Sequence, residues 1–185
     1  MKINVNYLKA AAIVASKEAV RYYLNGVAIQ ANDKGVFIVA TDGHRACVFR
    51  QSEAHDGAPM DIIIPSSAIN ALKTKEDTVD LRKINDTQYM IGNIAFEPVD
   101  GTFPDWRRIV PKETSGETAQ FNPAYVGDFA KVAKALNKGA SVLIAHNGYS
   151  ASLVSFGPDI DGFGLLMPKM RHGQIIVNTA PSWAL

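Results

Sequence analysis

A cluster of polar residues near the start of the chain has the side chains needed for acid–base or metal chemistry. It is Thr41-Asp42-Gly43-His44-Arg45, and a second imidazole–carboxylate pair, His55-Asp56, follows it. A carboxylate and an imidazole can exchange a proton or bind a metal ion. The spacing matches no HxH, HExxH or CxxC pattern, and no Ser-His-Asp set stands out. A metal-dependent nuclease that needs Asp42 is one hypothesis, and a turn in which Asp42 and His44 only satisfy local hydrogen bonds is another.

The composition is typical of a soluble globular protein. The chain has 185 residues, of which 47% are hydrophobic and 20% charged, and its formal net charge is +1. This balance argues against disorder, and no apolar run reaches the roughly 18 residues of a membrane helix. The first residues show no signal-peptide pattern, so we expect a cytoplasmic protein. The near-neutral charge permits nucleic-acid binding only if the lysines collect on one face.

The sequence contains no motif for a nucleotide or redox cofactor. Neither GxxxxGK[ST] nor GxGxxG is found, and we expect no cofactor, no metal and no enzymatic activity. The single cysteine, Cys47, cannot form an intrachain disulfide, which agrees with a reducing compartment. Cys47 alternates with Phe49 in a predicted strand, so we interpret it as a small core residue rather than a nucleophile.

The apolar periodicity predicts three copies of a β-α-β-β(-β) unit, each of about 50 to 55 residues. In the third predicted helix, Phe129, Val132, Ala133 and Leu136 form an apolar stripe. This order predicts an α+β fold with helices on one side and antiparallel sheets on the other. The predicted strands are 3–5, 20–30, 35–41, 46–51, 61–65, 78–84, 87–91, 94–99, 119–121, 141–146, 150–155 and 162–168, and the predicted helices are 7–16, 66–72 and 124–137.

Four stretches, in this order and spacing, resemble the bacterial DNA polymerase III beta subunit, the processivity sliding clamp. Each alone is a weak match, and the combination is specific. They are Arg21-Tyr22-Tyr23-Leu24-Asn25-Gly26, Ala40-Thr41-Asp42-Gly43-His44-Arg45, Phe103-Pro104-Asp105-Trp106-Arg107-Arg108-Ile109-Val110-Pro111 and Leu166-Met167-Pro168-Lys169-Met170-Arg171.

The resemblance implies a DNA-clamp fold shortened to three units instead of six. Residues 1–111 resemble the complete middle domain of the family, two units that end in a proline-bracketed connector. Residues 117–171 resemble the second half of its last domain, and 172–185 form a C-terminal extension. The first domain of the family has no counterpart here.

The resemblance also implies a ring. The family forms closed rings of twelve units with helices lining the hole, so a chain of three units implies four copies. In one arrangement the third unit pairs with its copy on another chain across a twofold axis, and two such dimers close a tetrameric ring. A dimer that stays open is the simpler alternative.

In the family, the polar corner and the connector form an apolar pocket that binds short peptides of polymerases, the clamp loader and repair proteins. Such a pocket needs apolar walls and a few donors for peptide carbonyl or acidic groups. Where the family usually has leucine after the arginine, this chain has Ala46, which shortens one wall. The matching positions are Leu24, Thr41, Gly43, His44, Arg45, Pro104, Arg108, Ile109, Met167, Pro168, Met170 and Arg171.

A sliding clamp must hold DNA through its phosphates without reading bases, because specific contacts would stop it from moving. Lysines on and beside the three predicted helices suit that task, although by themselves they are equally typical of a solvated helix surface. The expected DNA-binding residues are Lys9, Lys17, Lys73, Lys131, Lys134 and Lys138.

The function implied is a clamp that encircles duplex DNA, is loaded by a separate ATP-driven loader and is associated with the nucleoid. The alternative is a clamp-like adaptor or decoy that binds peptides without encircling DNA. In the extension, residues 174–178 are expected to add an edge strand, and Trp183 and Leu185 either occupy a pocket on a neighbouring chain or pack on the surface.

Overall fold

The computed structural model describes residues 1–52, 55, 57–137 and 141–170, and within this part no helix has the length and apolar character to cross a membrane. The α+β fold predicted from the sequence is confirmed. The first unit contains β1 (Lys2–Asn4), α1 (Val5–Ala12), β2 (Gly26–Asn32), β3 (Gly35–Thr41) and β4 (Arg45–Ser52). The second contains β5 (Met60–Pro65), α2 (Ser66–Ala71), β6 (Thr78–Lys83), β7 (Tyr89–Ile91) and β8 (Ile94–Phe96). The third contains α3 (Pro123–Leu136), β9 (Leu143–Ala145), β10 (Ser152–Ser155) and β11 (Gly162–Leu166).

The strands form two antiparallel sheets that exchange elements between units. One sheet has the order β1-β6-β7-β8, and the other has the order β5-β2-β3-β4-β11-β10-β9. Each of the first two units therefore sends its leading strand into the sheet of the other. The third unit joins the first through β4 and β11, so the larger sheet runs across all three units.

The helices cover one side of the sheets and enclose the main core. The predicted stripe Phe129, Val132, Ala133 and Leu136 is buried, as expected. Phe129 and Phe49 both contact Phe156, with ring centroids 6.0 and 5.9 Å apart. Helix α1 packs against both α2 and α3, so the three helices lie side by side. Cys47 is fully buried, and burial raises the pKa of its thiol, which makes it the inert core residue expected.

The clearest differences between prediction and structure concern residues 20–25, helix α1, which runs from Val5 to Ala12 instead of from 7 to 16, and residues 119–121. Residues 20–25 are not a strand: Tyr22–Leu24 form a 3-10 turn that buries Leu24 to 2% exposure without a strand partner. Helix α1 begins at Val5, capped by the Asn4 side chain, which accepts from the Tyr7 N–H at 3.0 Å. Residues 119–121 form no strand, because no described strand lies beside them to complete a ladder.

Candidate functional site

The β3–β4 turn lies directly against the end of β11. Strands β4 and β11 pair with Arg45 opposite Leu166, and the His44 carbonyl oxygen accepts from the Met167 N–H at 2.9 Å. His44 and Met167 belong to two of the four motif stretches and come from distant parts of the sequence. The strand pairing therefore brings these two predicted site residues together.

The side chain of Asp42 organises the turn through local hydrogen bonds. Its Oδ1 accepts from the backbone N–H of His44 (2.9 Å) and of Arg45 (3.1 Å). Thr41 Oγ1 accepts from the Gly43 N–H at 3.0 Å and donates to the Arg45 carbonyl oxygen at 2.7 Å. Gly43 has φ +89°, a backbone conformation that favours glycine. The turn hydrogen bonding considered for Asp42 is thus present.

The His44 side chain, by contrast, makes a contact outside the turn. Its exposed ring stacks on Tyr125 of α3, with centroids 6.1 Å apart and planes 21° apart. Among the described residues, no group of three or more His, Cys, Asp or Glu side chains is arranged to hold a metal ion. His55 contacts the Ala58 carbonyl oxygen at 3.1 Å, and Asp56 lies outside the described residues.

Arg45 joins the turn to α3 through a largely buried ion-pair network. Its Nε donates to Asp42 Oδ2 at 2.9 Å, and its Nη1 donates to Asp128 Oδ2 at 2.7 Å. The guanidinium lies 4.4 Å from the centre of the Tyr125 ring. The Arg45 side chain is 8% exposed, so its donors serve the chain's own carboxylates rather than facing solvent.

Asp128 is the second anchor of this network. Its partial burial by itself would raise the pKa, but hydrogen bonds from Lys131 and Arg45 outweigh that effect and hold the pKa of Asp128 below its ordinary value. Lys131 Nζ donates to Asp128 Oδ1 at 2.6 Å. The sequence prediction did not include Tyr125 or Asp128. Only the spacing of Asp128 and Lys131, three apart on one helix, hinted at a local ion pair.

On the sheet side of the turn, the connector packs into a buried apolar cluster. Leu24, Phe103 and Trp106 belong to one buried cluster, separate from the core under the helices. Val110 packs against this cluster and also against a small cluster of Ala46, Ala151 and Leu165.

The other predicted pocket residues are exposed or half-buried, or lie outside the described part. Ile109, Met167 and Met170 are large apolar side chains with 51%, 40% and 43% exposure. Pro104 and Arg108 are exposed, and Pro168 is half-buried. Arg171 lies outside the described residues. Ala46 is buried, so the shorter wall expected there would lie beneath the surface.

On the helix side of the same corner is an open cleft of about 820 Å³. Its walls come from α1, α2, α3, the β3–β4 turn and the segment after α1. Four cationic side chains line it together with three carboxylates, those of Glu18, Asp42 and Asp128. The cationic residues are Lys9, Lys17, Arg45 and Lys131.

The predicted DNA-binding lysines divide between this cleft and other surfaces. Lys9, Lys17 and Lys131 line the cleft, and Lys134 is exposed one turn further along α3. Lys73 is exposed just beyond α2 and does not line the cleft. Lys138 lies outside the described residues, as do Trp183, Leu185 and the edge strand expected at 174–178.

Comparison with known proteins gives one family. The family model described as the DNA polymerase III beta subunit, central domain, matches residues 3–105. The beta sliding clamp of Vibrio cholerae is 32% identical over 107 residues, which cover 54% of this chain and 29% of that protein. The beta sliding clamp of Escherichia coli K12 is 32% identical over 112 residues, which cover 57% and 31%. The matched segment thus spans under a third of the length of these curated relatives.

Solved structures extend the likeness to most of the chain. The DNA polymerase III subunit beta from Pseudomonas aeruginosa has a TM-score of 0.72 and 19% identity, covering 92% of this chain and 66% of that one. The beta subunit from Streptococcus pyogenes has a TM-score of 0.76 and 17% identity, with the same coverage. At this level of identity the likeness establishes the fold.

Proposed function

Because the chain belongs to the DNA polymerase III beta subunit family, we propose that it acts in DNA replication as a sliding clamp. In this role it encircles duplex DNA and tethers a DNA polymerase or another DNA-acting protein. The task is mechanical, so the chain needs no catalytic group, metal or cofactor of its own. We place the working protein on the nucleoid, where its DNA substrate is.

One observation carries the DNA-binding half of this proposal. Helices α1 and α3 pack side by side on one side of a sheet that continues through β4 and β11, and Lys9 of α1 and Lys131 of α3 line one cleft. Mobile lysine–phosphate contacts of this kind each contribute about 1 kcal/mol or less at physiological salt, which permits sliding. Glu18, Asp42 and Asp128 lower the local positive charge and keep the grip weak.

The expected signature of a ring is topological retention. Protein assembled at low salt in the presence of a nicked circular plasmid should stay on that plasmid during gel filtration at a higher salt concentration. That concentration is chosen so that ordinary phosphate contacts are weakened while the oligomer stays intact by light scattering. The same complex should lose its protein after the plasmid is cut once. Retention on both forms, or on neither, would contradict encirclement, and retention on neither with peptide binding intact would favour the adaptor alternative.

For the partner site, we propose the surface between the β3–β4 turn, the connector and the segment after β11. Leu24 forms its floor, and the networks of Thr41, Gly43 and Arg45 fix the turn. The proposed rim consists of Pro104, Arg108, Ile109, Met167, Pro168 and Met170, with His44 at the corner. Arg171 lies outside the described residues and is assigned to this site from the sequence alone. Exposed methionines suit a site for several different peptides, because the flexible thioether repacks around each one. The ligands are peptides of a DNA polymerase and of a clamp loader.

We expect Met167→Ala and His44→Ala each to weaken binding of such a peptide by about 1–3 kcal/mol, that is roughly 5- to 150-fold, because both side chains are exposed at the rim. Fluorescence anisotropy with a labelled polymerase-derived peptide that binds a beta sliding clamp measures the change. Tyr149→Ala is the matched control, since Tyr149 is a large side chain with 56% exposure in the turn between β9 and β10. Unchanged affinity in both site variants would remove this site.

A further inference from the structure

The first two units are closed into one domain by exchange of their leading strands. Strand β1 pairs with β6 so that Ile3 lies opposite Val79, and β5 pairs with β2 so that Ile64 lies opposite Val27. These four side chains are buried, with 6% exposure at most. The exchange therefore completes the core of each unit with a strand from the other.

The third unit has a segment in the same position as these leading strands. The N-caps Asn4, Pro65 and Asn122 mark the same point in the three units, the residue before each helix. In each unit, the backbone carbonyl of the residue two positions before the N-cap accepts a hydrogen bond. The donor lies at the end of the last strand of the same unit, or just beyond that end. The three contacts are Gln51 Nε2 to Lys2 O (2.7 Å), Val99 N to Ile63 O (2.9 Å) and Lys169 N to Gln120 O (2.6 Å).

The third unit also has the strand that should receive a leading segment. The cross-strand pair Ile29/Ile38 in the first unit and the pair Leu81/Ile91 in the second are buried. The corresponding pair in the third unit is Ile144/Val154, and this pair faces the same core. The residues two positions before Ile29 and Leu81 are Val27 and Val79, which are covered by the exchanged strands β5 and β1. Counting back two from Ile144 gives Val142.

At these positions the third unit lacks the cover that the others have. Strand β9 is the last strand of its sheet, and within the described residues no strand pairs with its outer edge. Val142 and Phe121 are half-buried, whereas their counterparts Val79, Val27, Ile3 and Ile64 are buried. Leu143, on the same edge, is 64% exposed. Residues 119–121 and 142–145 carry no charged side chain, although exposed sheet edges commonly carry charges that prevent association.

We propose that two copies of this chain exchange the segment 119–121 across a twofold axis. The segment of one copy pairs antiparallel with residues 142–144 of the other, which sets Phe121 opposite Val142 and Gln120 opposite Leu143. A second copy supplies both a leading segment and a receiving strand edge. One isologous contact therefore pairs the open edge of β9 and gives the segment 119–121 a strand partner in each copy. The seven-stranded sheet of each copy gains its eighth strand, and the two α3 helices approach each other as α1 and α2 do.

A disulfide between copies tests the register. In the double variant Gln120→Cys, Leu143→Cys, oxidation should convert most of the full-length protein to a covalent dimer on a non-reducing denaturing gel. Each single variant is the matched control and should stay monomeric on that gel, because the twofold axis brings Gln120 near Leu143 and not near its own copy. The native Cys47 is fully buried and does not compete. A double variant that forms no more dimer than the singles would overturn the proposal.

A charge on the edge tests the same contact without cross-linking. Leu143→Asp should weaken self-association at least tenfold in light scattering over a concentration series, while Tyr149→Asp, an equally exposed change beyond the edge, should not. A full-length chain that is monomeric, and that self-associates only after residues 172–185 are removed, would also contradict the proposal. In that case the extension, and not a second copy, would cover the edge.

This inference rests on the proposed ring only in part, and separate experiments can reject the exchanged contact and the ring. Cross-linking without retention on nicked circular DNA upholds the exchanged contact and rejects the clamp. Retention without cross-linking upholds the clamp and rejects this contact.

Discussion

Replacing Arg45 by methionine is expected to lower the free energy of unfolding by about 3 kcal/mol. The change removes the cation from between Asp42 and Asp128, whose side chains are only 16% and 22% exposed. Breaking a buried ion pair leaves an uncompensated charge, which usually costs about 3–5 kcal/mol. We expect the lower end of this range because Asp128 keeps its hydrogen bond from Lys131 and both carboxylates keep some contact with water. Methionine retains much of the apolar stem, so the loss reports mainly on the charge.

Urea denaturation at equal protein concentration measures this effect, since self-association would otherwise shift the apparent stability. Arg21→Met is the matched control. Its pair with Glu18 has a similar distance of 2.8 Å, but the two side chains are 33% and 59% exposed. Removing an exposed pair should cost less than about 1 kcal/mol. Equal losses in the two variants would show that burial of the Arg45 network is not what stabilises the turn.

The same network gives a pH dependence with a defined sign. The pKa of Asp128 is lowered in the folded state, so this group stabilises the fold above its unfolded pKa of about 4. The contribution is lost as the pH falls below that value toward the folded pKa. In Arg45→Met the pKa of Asp128 should rise toward its unfolded value. The part of the free energy of unfolding that Asp128 loses on acidification should therefore be smaller than in the unmodified protein. Titration of the Asp128 carboxyl carbon by NMR follows this directly.

The second large effect is expected from Gly26→Ala, at about 3 kcal/mol of destabilisation. Gly26 begins β2 opposite Pro65 of β5. A Cβ at this position would overlap the Ile64 carbonyl oxygen and lie 2.9 Å from Ile63 Cγ2. A backbone carbonyl in a sheet cannot move aside as a flexible side chain can, so the strands must separate locally.

Gly127→Ala is the matched control for this substitution. Gly127 lies within α3, and a Cβ there would meet no atom within 4 Å. Because alanine favours the helix over glycine, this variant should gain about 1 kcal/mol. Urea denaturation gives both values, and amide hydrogen exchange should show faster exchange in β2 and β5 of Gly26→Ala only. A stable Gly26→Ala protein with unchanged exchange would contradict the tight approach of β5 to β2.

Features that depend on local patterns could be predicted from the amino-acid sequence. The spacing of Phe129, Val132, Ala133 and Leu136 was sufficient to identify the buried face of α3, because a helix repeats every 3.6 residues. The turn chemistry at Thr41–Arg45 followed from Asp42 and Gly43, whose preferences act over two or three residues. The family was also accessible from the sequence, since its four motif stretches are each contiguous.

Which distant segments meet could be learned only from the folded chain. Exchange of β1 and β5, and the pairing of β4 with β11, are set by packing of whole units, and no local propensity distinguishes one edge partner from another. Residues 119–121 have a strand-like sequence and yet form no strand, because a strand exists only where a neighbour completes its hydrogen bonds. For the same reason Asp128 was not foreseen as the partner of Arg45. A cation selects its carboxylate by proximity in space, and that proximity exists only after the third unit docks on the first.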